Sequence, residues 1–326
     1  MRVGNPAPPE QSVLPLGEGD GTLRILVLGA GGIGGYYGGR LAAAGGDVTF
    51  LVRPRRAEQL MKDGLVIRSP LGDAQVPVKT ILREHVQPGW DAIIIACKSY
   101  DLEDAIEAVR PAAPGALIVP QLNGLRHLDT LDAAFGAEAV TGGVAQIAVT
   151  LDEGGAIRHL SGMQGFVIGA RHPAQQQRVA ALHAELERGG FGPRLSDVIM
   201  QDMWEKFAFL CTLAGICCLM RAGTNVIACT EDGAALTLEL LDTCLAVATT
   251  AGFPPRERFL AATRRMLTDT SAPFAASMLR DLQRGGRVEA DHIVGDMLAR
   301  AKAAGLPATL LRAAYAHLQV YEAQRG

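Results

Sequence analysis

Cysteine is sparse in this chain, six in 326 residues, and no two stand as C-x-x-C. That spacing excludes a disulfide scaffold and a cysteine zinc site, and reads as reduced, buried thiols in a cytoplasmic protein. An excess of one charge is also missing. With 31 Lys and Arg against 34 Asp and Glu the net charge is −3, which excludes a general nucleic-acid-binding surface. Long hydrophobic runs are missing as well. The longest, Phe207 to Met220, covers fourteen residues between Lys206 and Arg221, short of the ~20 that cross a bilayer, so it reads as a buried helix with no membrane role. Residues 1–22 are rich in Pro and Gly and lack the basic start and apolar core of a secretory signal; they are expected to be a disordered tail. What remains is a globular composition, 48% apolar and 20% charged, at a length that suits two domains.

The first of these spans residues 23–194. Leu23 to Leu28 form an apolar run followed at once by glycines, as a buried parallel strand leading into a helix would read. Tyr36 to Ala44 supply the helix, and Val48 to Val52 the next strand. Asp91 to Cys97 and Ala116 to Pro120 repeat the grammar, and the alternation of Val66, Ile67, Val76 and Val78 around Pro70 to Asp73 predicts a hairpin inserted in the parallel sheet. Strands are also expected at Val140 to Leu151 and Phe166 to Ile168. From residue 195 to 326 Ala, Leu, Met and Arg recur at helical spacing, which predicts helices at 198–220, 233–251, 254–267, 277–283, 290–304 and 308–324. The fold class is therefore α/β, a Rossmann-type parallel-sheet domain followed by an all-helical substrate domain.

Gly29-Ala30-Gly31-Gly32-Ile33-Gly34 fits G-x-G-x-x-G between a strand and a helix, the context in which glycines let the backbone approach a pyrophosphate at a helix N-terminus. The acidic residue that holds the ribose of NAD is absent after the second strand. Arg53 stands there instead, with Arg55 or Arg56 to assist, and a guanidinium fork suits the 2′-phosphate of NADP(H). Lys98 and the Gln121-Leu122-Asn123-Gly124 turn follow strands at the sheet edge where such folds bind ligands. In the second half Lys206, in Met-Trp-Glu-Lys-Phe, is a cation at the edge of the apolar helix, placed to serve as a proton donor to a carbonyl oxygen.

Together the glycine loop with Arg53, Lys98, Gln-x-Asn-Gly at 121–124, Trp-Glu-Lys at 204–206, and the spacing of Ser277, Asp281 and Glu289 resemble the ketopantoate reductases (2-dehydropantoate 2-reductases), over residues 23 to the C-terminus. That resemblance implies NADPH-dependent reduction of a 2-oxo acid. It implies Lys206 as the catalytic lysine, Asn123, Ser277 and Glu289 as substrate contacts, and Asn123 and Glu289 as cofactor contacts too; Glu289 would orient Lys206 or the nicotinamide ribose. No metal is required. Where the family carries asparagines four and eight residues after its lysine, this chain has Leu210 and Ala214, and Thr224 falls at the third such position. Loss of two amides points to a more apolar 2-oxo acid or ketone as an alternative substrate, and keeps open a non-catalytic NADP-binding sensor. A β-hydroxyacid dehydrogenase also uses a helix lysine, but wants an asparagine at 210. His292 reads as an exposed helix histidine, and His127 and His159 carry no functional signal. A homodimer through the apolar helical half is expected.

Overall fold

The computed structural model describes residues 22–325, so the tail expected at the N-terminus lies outside the described residues apart from Thr22. β1 (Arg24–Leu28) feeds α1 (Gly32–Ala43), which returns the chain to β2 (Asp47–Leu51) beside β1 in parallel register. α1 starts four residues earlier than Tyr36, within the glycines themselves, because Gly31 takes the extended N-cap conformation and the helix begins at Gly32. α2 (Pro54–Asp63) follows with Pro54 in its first turn, where a missing N–H costs nothing. Then come β3 (Leu65–Arg68), β4 (Ala74–Val76), β5 (Lys79–Ile81), β6 (Ala92–Ile95), α3 (Leu102–Val109), β7 (Leu117–Pro120) and α4 (Arg126–Phe135). The parallel sheet has the order β5-β2-β1-β6-β7. The strand order reverses between β1 and β6, which opens a crevice at their carboxyl ends.

The hairpin predicted within this sheet lies elsewhere. β3 and β4 pair antiparallel in a second sheet, ordered β10-β9-β3-β4, in which β8 (Gly142–Leu151) pairs with β9 (Ile157–Gly169) and β10 is Arg194–Leu195. Only β5 joins the parallel sheet, beside β2. The reason is packing on the far side of α1: Leu65 and Ile67 are fully buried, and a Cβ built on Gly39 of that helix would lie 2.6 Å from Leu65. β9 starts nine residues before Phe166: Ile157 to His159 pair with β8, the register shifts over the intervening residues, and pairing resumes at Gln164, so this stretch shows no regular apolar alternation. α5 (Gln176–Glu187), for which no signal was read, connects β9 to β10.

After β10 only helices follow: α6 (Ile199–Met220), α7 (Thr224–Ala228), α8 (Gly233–Thr250), α9 (Glu257–Leu267), α10 (Ser277–Gln283), α11 (Asp296–Ala303) and α12 (Thr309–Arg325). The single helix expected over 290–304 is divided, with a π-helical turn at Asp291–Gly295 ahead of α11. α6 is the axis of this half, and α8, α10 and α12 pack around it. By length and composition alone both α6 and α8 could cross a membrane, yet 72% of the most apolar window of α6 is buried inside the protein. Leu26, Ile93 and Ile118 of the sheet and Met203, Phe207, Ile216, Leu240 and Leu311 of the helices share one continuous core, so the two halves are packed together. All six cysteines are free; Cys229, expected to be buried, is exposed at the end of α7.

Candidate active site

The crevice between β1 and β6 holds the glycine loop. Gly29 has φ +83°, a conformation costly for any residue with a side chain, and its N–H donates to the Leu51 carbonyl at 2.9 Å, which closes the turn against β2. A Cβ on Gly34 would sit 2.8 Å from the Gly29 carbonyl oxygen, whereas a Cβ on Gly31 would meet nothing within 4 Å. The loop is thus tight where it folds on itself and open where a phosphate would approach. No side chain caps α1, so its first-turn N–H groups are available to an anion. These residues fit a dinucleotide. Ala30 is buried, while Gly32 and Ile33 form the first turn of α1, with Val149 of β8 packed against Gly32.

The arginines after β2 divide. Arg53, 84% exposed at its side chain, has only a 3.9 Å approach to the exposed Asp104 and is free to meet a phosphate. Arg55 is exposed too. Arg56 is committed inside the protein: it donates to the Ala30 carbonyl at 3.0 Å, the Gly155 carbonyl at 2.9 Å and the Gln59 side chain at 2.7 Å. It ties the glycine loop to the β8–β9 turn and does not assist Arg53.

Lys206 is placed by close packing at the start of α6. A Cβ on Gly142 of β8 would lie 2.5 Å from Ile199 and 3.1 Å from the Met203 sulfur, so only glycine lets the helix settle this closely on the strand. Two helical turns after Ile199, Lys206 Nζ donates to the carbonyl oxygen of Ala145 on the same strand at 2.6 Å. Burial pulls its pKa down to about 8, against the opposing pull of Glu289. Its neighbour Glu205 is occupied by Arg256 at 2.9 Å, and that arginine also pairs with Asp202, which steadies the helix around the lysine.

Glu289 does not bond Lys206 directly. Its carboxylate accepts from the Ser99 N–H at 2.9 Å and from Lys98 at 3.3 Å, and Lys98 also reaches Asp281 at 2.9 Å. Burial works against the Lys98 charge, but the two carboxylates outweigh it and raise its pKa. Lys98 therefore bridges the end of β6 to the helical half. Ser277, exposed in the first turn of α10, lies one turn before Asp281 on the same helix. Asn123 is partly exposed in the loop after β7, with its backbone against the ring of His292, three residues beyond Glu289. Thr224 is buried, and both its N–H and its hydroxyl are directed to the Phe274 carbonyl, at 2.8 and 3.2 Å. It anchors the segment that leads into Ser277, leaving that hydroxyl engaged within the protein. Leu210 and Ala214 continue the Lys206 face of α6 by one and two turns.

Reading the sequence missed the carbonyl of Ala145, the inward role of Arg56, and a buried polar group behind Asn123. His292 is 8% exposed and His127 fully buried, contrary to the exposed histidine expected at 292, because the π-helical turn rotates residue 292 into the interior. Only the polarity of 121–127 was a clue, and it resembled an ordinary loop.

A Rossmann crevice with an open phosphate loop, facing a partly buried lysine and a carboxylate from a helical half, defines a nicotinamide-dependent oxidoreductase. The model of the family described as ketopantoate reductase PanE/ApbA matches residues 25–173, and that of its C-terminal part matches residues 198–322. The chain belongs to the ketopantoate reductase family. It is similar to the uncharacterized oxidoreductase YkpB of Bacillus subtilis strain 168, 38% identical over 304 residues, covering 93% of this chain and 100% of that protein. The crystal structure of 2-dehydropantoate 2-reductase from Geobacter metallireducens GS-15 is 28% identical with TM-score 0.83, covering 91% and 99% of the two chains. A D-mandelate dehydrogenase solved with NADH and anilino(oxo)acetate shares the fold, at 18% identity and TM-score 0.84 over 93% of this chain and 99% of that one. The protein is an NAD(P)-dependent oxidoreductase of the ketopantoate reductase type.

Proposed function

We propose that this protein reduces a 2-oxo acid with an apolar side chain, using NADPH, with Lys206 as the proton donor. The observation that carries the reading is the position of Lys206: a lysine drawn to a pKa of about 8, oriented by the Ala145 carbonyl, on a helix face that continues as Leu210 and Ala214. Bound NADPH supplies a hydride to the carbonyl carbon. As negative charge grows on the carbonyl oxygen, Lys206 donates first a hydrogen bond and then the proton, and an amine whose pKa burial has drawn down to about 8 suits that transfer. Ser277 and the Asn123 amide are the polar groups available to the substrate carboxylate. Glu289 keeps Lys98 and the Ser99 N–H in place beside the cofactor, and the exposed fork of Arg53 supports preference for NADPH. Hydrocarbon at 210 and 214 leaves a substrate hydroxyl without a partner, a cost of ~1–3 kcal/mol that an apolar side chain avoids. Exposed Met220, Val226 and Val320 support association of the helical half with a second copy.

The test is NADPH oxidation by purified protein with 2-dehydropantoate and with its deoxy analogue, in which a methyl replaces the hydroxymethyl group. Faster turnover of the deoxy analogue, abolished by Lys206→Ala, is the expected result. Preference for 2-dehydropantoate would overturn the apolar-substrate reading, and tight NADPH binding without turnover of either acid would overturn the catalytic one.

A further inference from the structure

Arg56 turns away from the end of β2, and the fold brings a different guanidinium to Arg53 from the neighbouring strand. β5 pairs with β2 in parallel, Leu51 beside Ile81, and the Val52 N–H donates to the Ile81 carbonyl at 3.1 Å. Past the strand ends the backbone stays extended at Arg53 (φ −72°, ψ 153°) and at Leu82 (φ −93°, ψ 157°), so the same register carried on by two residues sets Arg83 beside Arg53. The side chains agree with the register. Arg83 Nη1 donates to Asp104 Oδ1 at 2.7 Å, and Arg53 Nη2 lies 3.9 Å from Oδ2 of the same carboxylate. Asp104 stands in the first turn of α3, and Glu107, one turn along that helix, is occupied by Arg110 at 2.5 Å. All three side chains are open to solvent, Arg53 at 84%, Arg83 at 53% and Asp104 at 61% exposure. They stand at the carboxyl edge of the sheet after the second strand, where this class of fold holds the adenosine ribose of a dinucleotide.

Resting on the reading of Arg53 as a ligand of the 2′-phosphate, we propose that Arg83 is the second arginine on that phosphate, and that Asp104 occupies the pair of guanidinium groups until the phosphate displaces it. The exchange follows from charge and geometry. An ion pair as exposed as this one contributes little, so giving it up costs little. A phosphate monoester carries nearly two negative charges near neutral pH and three terminal oxygens, against one charge and two oxygens on the carboxylate, and two forks can bond it together. NADH has a hydroxyl at that place and gains nothing by displacing Asp104, whose pair with Arg83 then stays closed. Discrimination between the two cofactors therefore comes from three residues on three separate elements.

The experiment is isothermal titration of the purified protein and its variants with NADPH and with NADH, which reads binding without turnover. Arg83→Ala is expected to raise the Kd for NADPH about tenfold and to leave that for NADH unchanged, as loss of one charge-assisted contact would. Asp104→Asn, which removes the competing charge, is expected to lower the Kd for NADPH severalfold with NADH again unchanged. Equal weakening of both cofactors by Arg83→Ala would make Arg83 structural and overturn the proposal, and weaker NADH binding in Asp104→Asn would make Asp104 a ribose acceptor and overturn the displacement. Arg53→Ala separates this from the underlying reading. NADPH weakened there but untouched by Arg83→Ala rejects Arg83 alone, whereas NADPH untouched by either variant rejects the 2′-phosphate site itself.

Discussion

Lys206 is held by Ala145: the ammonium of a helix that follows the last strand donates at 2.6 Å to a backbone carbonyl 61 residues earlier. The carbonyl orients the amine without neutralising it, and burial lowers its pKa from 10.5 to about 8. The reductive rate should therefore be flat at neutral pH and fall as pH rises through about 8, where the donor loses its proton. Lys206→Ala should lower kcat by ~10²–10⁴-fold with NADPH binding retained, and should abolish that pH limb. A pH–rate profile checks both.

The same shift has a consequence for stability. Between about 8 and 10.5 the unfolded chain holds a proton on this lysine that the folded chain has released, so the contribution of Lys206 makes stability rise with pH across that window. Lys206→Met should remove this rise and should be more stable than wild type below it. Urea denaturation at two pH values measures the difference.

Arg53 and Arg56 stand three residues apart and should behave oppositely. Arg53→Ala should weaken NADPH binding about tenfold or more and leave NADH unchanged, because the lost interaction is a charge-assisted one with the 2′-phosphate. Arg56→Ala should lower the melting temperature and weaken both cofactors alike, since it frees three acceptors between the glycine loop and the β8–β9 turn. Isothermal titration with both cofactors separates the two roles.

Leu210 and Ala214 should set substrate preference. Leu210→Asn with Ala214→Asn is expected to raise kcat/KM for 2-dehydropantoate relative to the deoxy analogue by about tenfold, the value of one or two new hydrogen bonds to a hydroxyl. A ratio that does not move would place the specificity elsewhere.

The bridge from Lys98 to Asp281 and Glu289 joins the sheet edge to the helical half. Glu289→Ala should leave the Ser99 N–H and part of the Lys98 charge without partners, lowering the melting temperature and raising the KM for NADPH together. Glu289→Gln, which can still accept from Ser99, should restore more of the stability than of the KM.

Much of this protein is legible in residue order because its signals are local. A strand followed at once by Gly29, a helix opening in glycines, the continuous apolar run of β6 and the long Leu- and Met-rich pattern of α6 each follow from neighbouring residues, and together they imply the Rossmann sheet, the helical half and the candidate lysine. Local pattern failed where pairing partners are distant. The β3–β4 hairpin went to the second sheet because β9 lies beside β3, and of β9 only Phe166 to Ile168 was legible, because its earlier part pairs with β8 across a register shift that breaks the alternation.

The site divides along the same line. Residue type and spacing along the chain were enough for the glycine loop, the replacement of an acidic residue by Arg53, and the loss of asparagines at 210 and 214. Folding alone decided that Arg56 faces inward, that Thr224 spends its hydroxyl on Phe274, that Glu289 holds Lys98 and Ser99, and that His127 and His292 meet in the interior. Those contacts join residues up to 191 positions apart, and no local preference encodes them. They arise when strands, helices and one π-helical turn pack into a shared core and bring side chains of like sequence character into unlike surroundings.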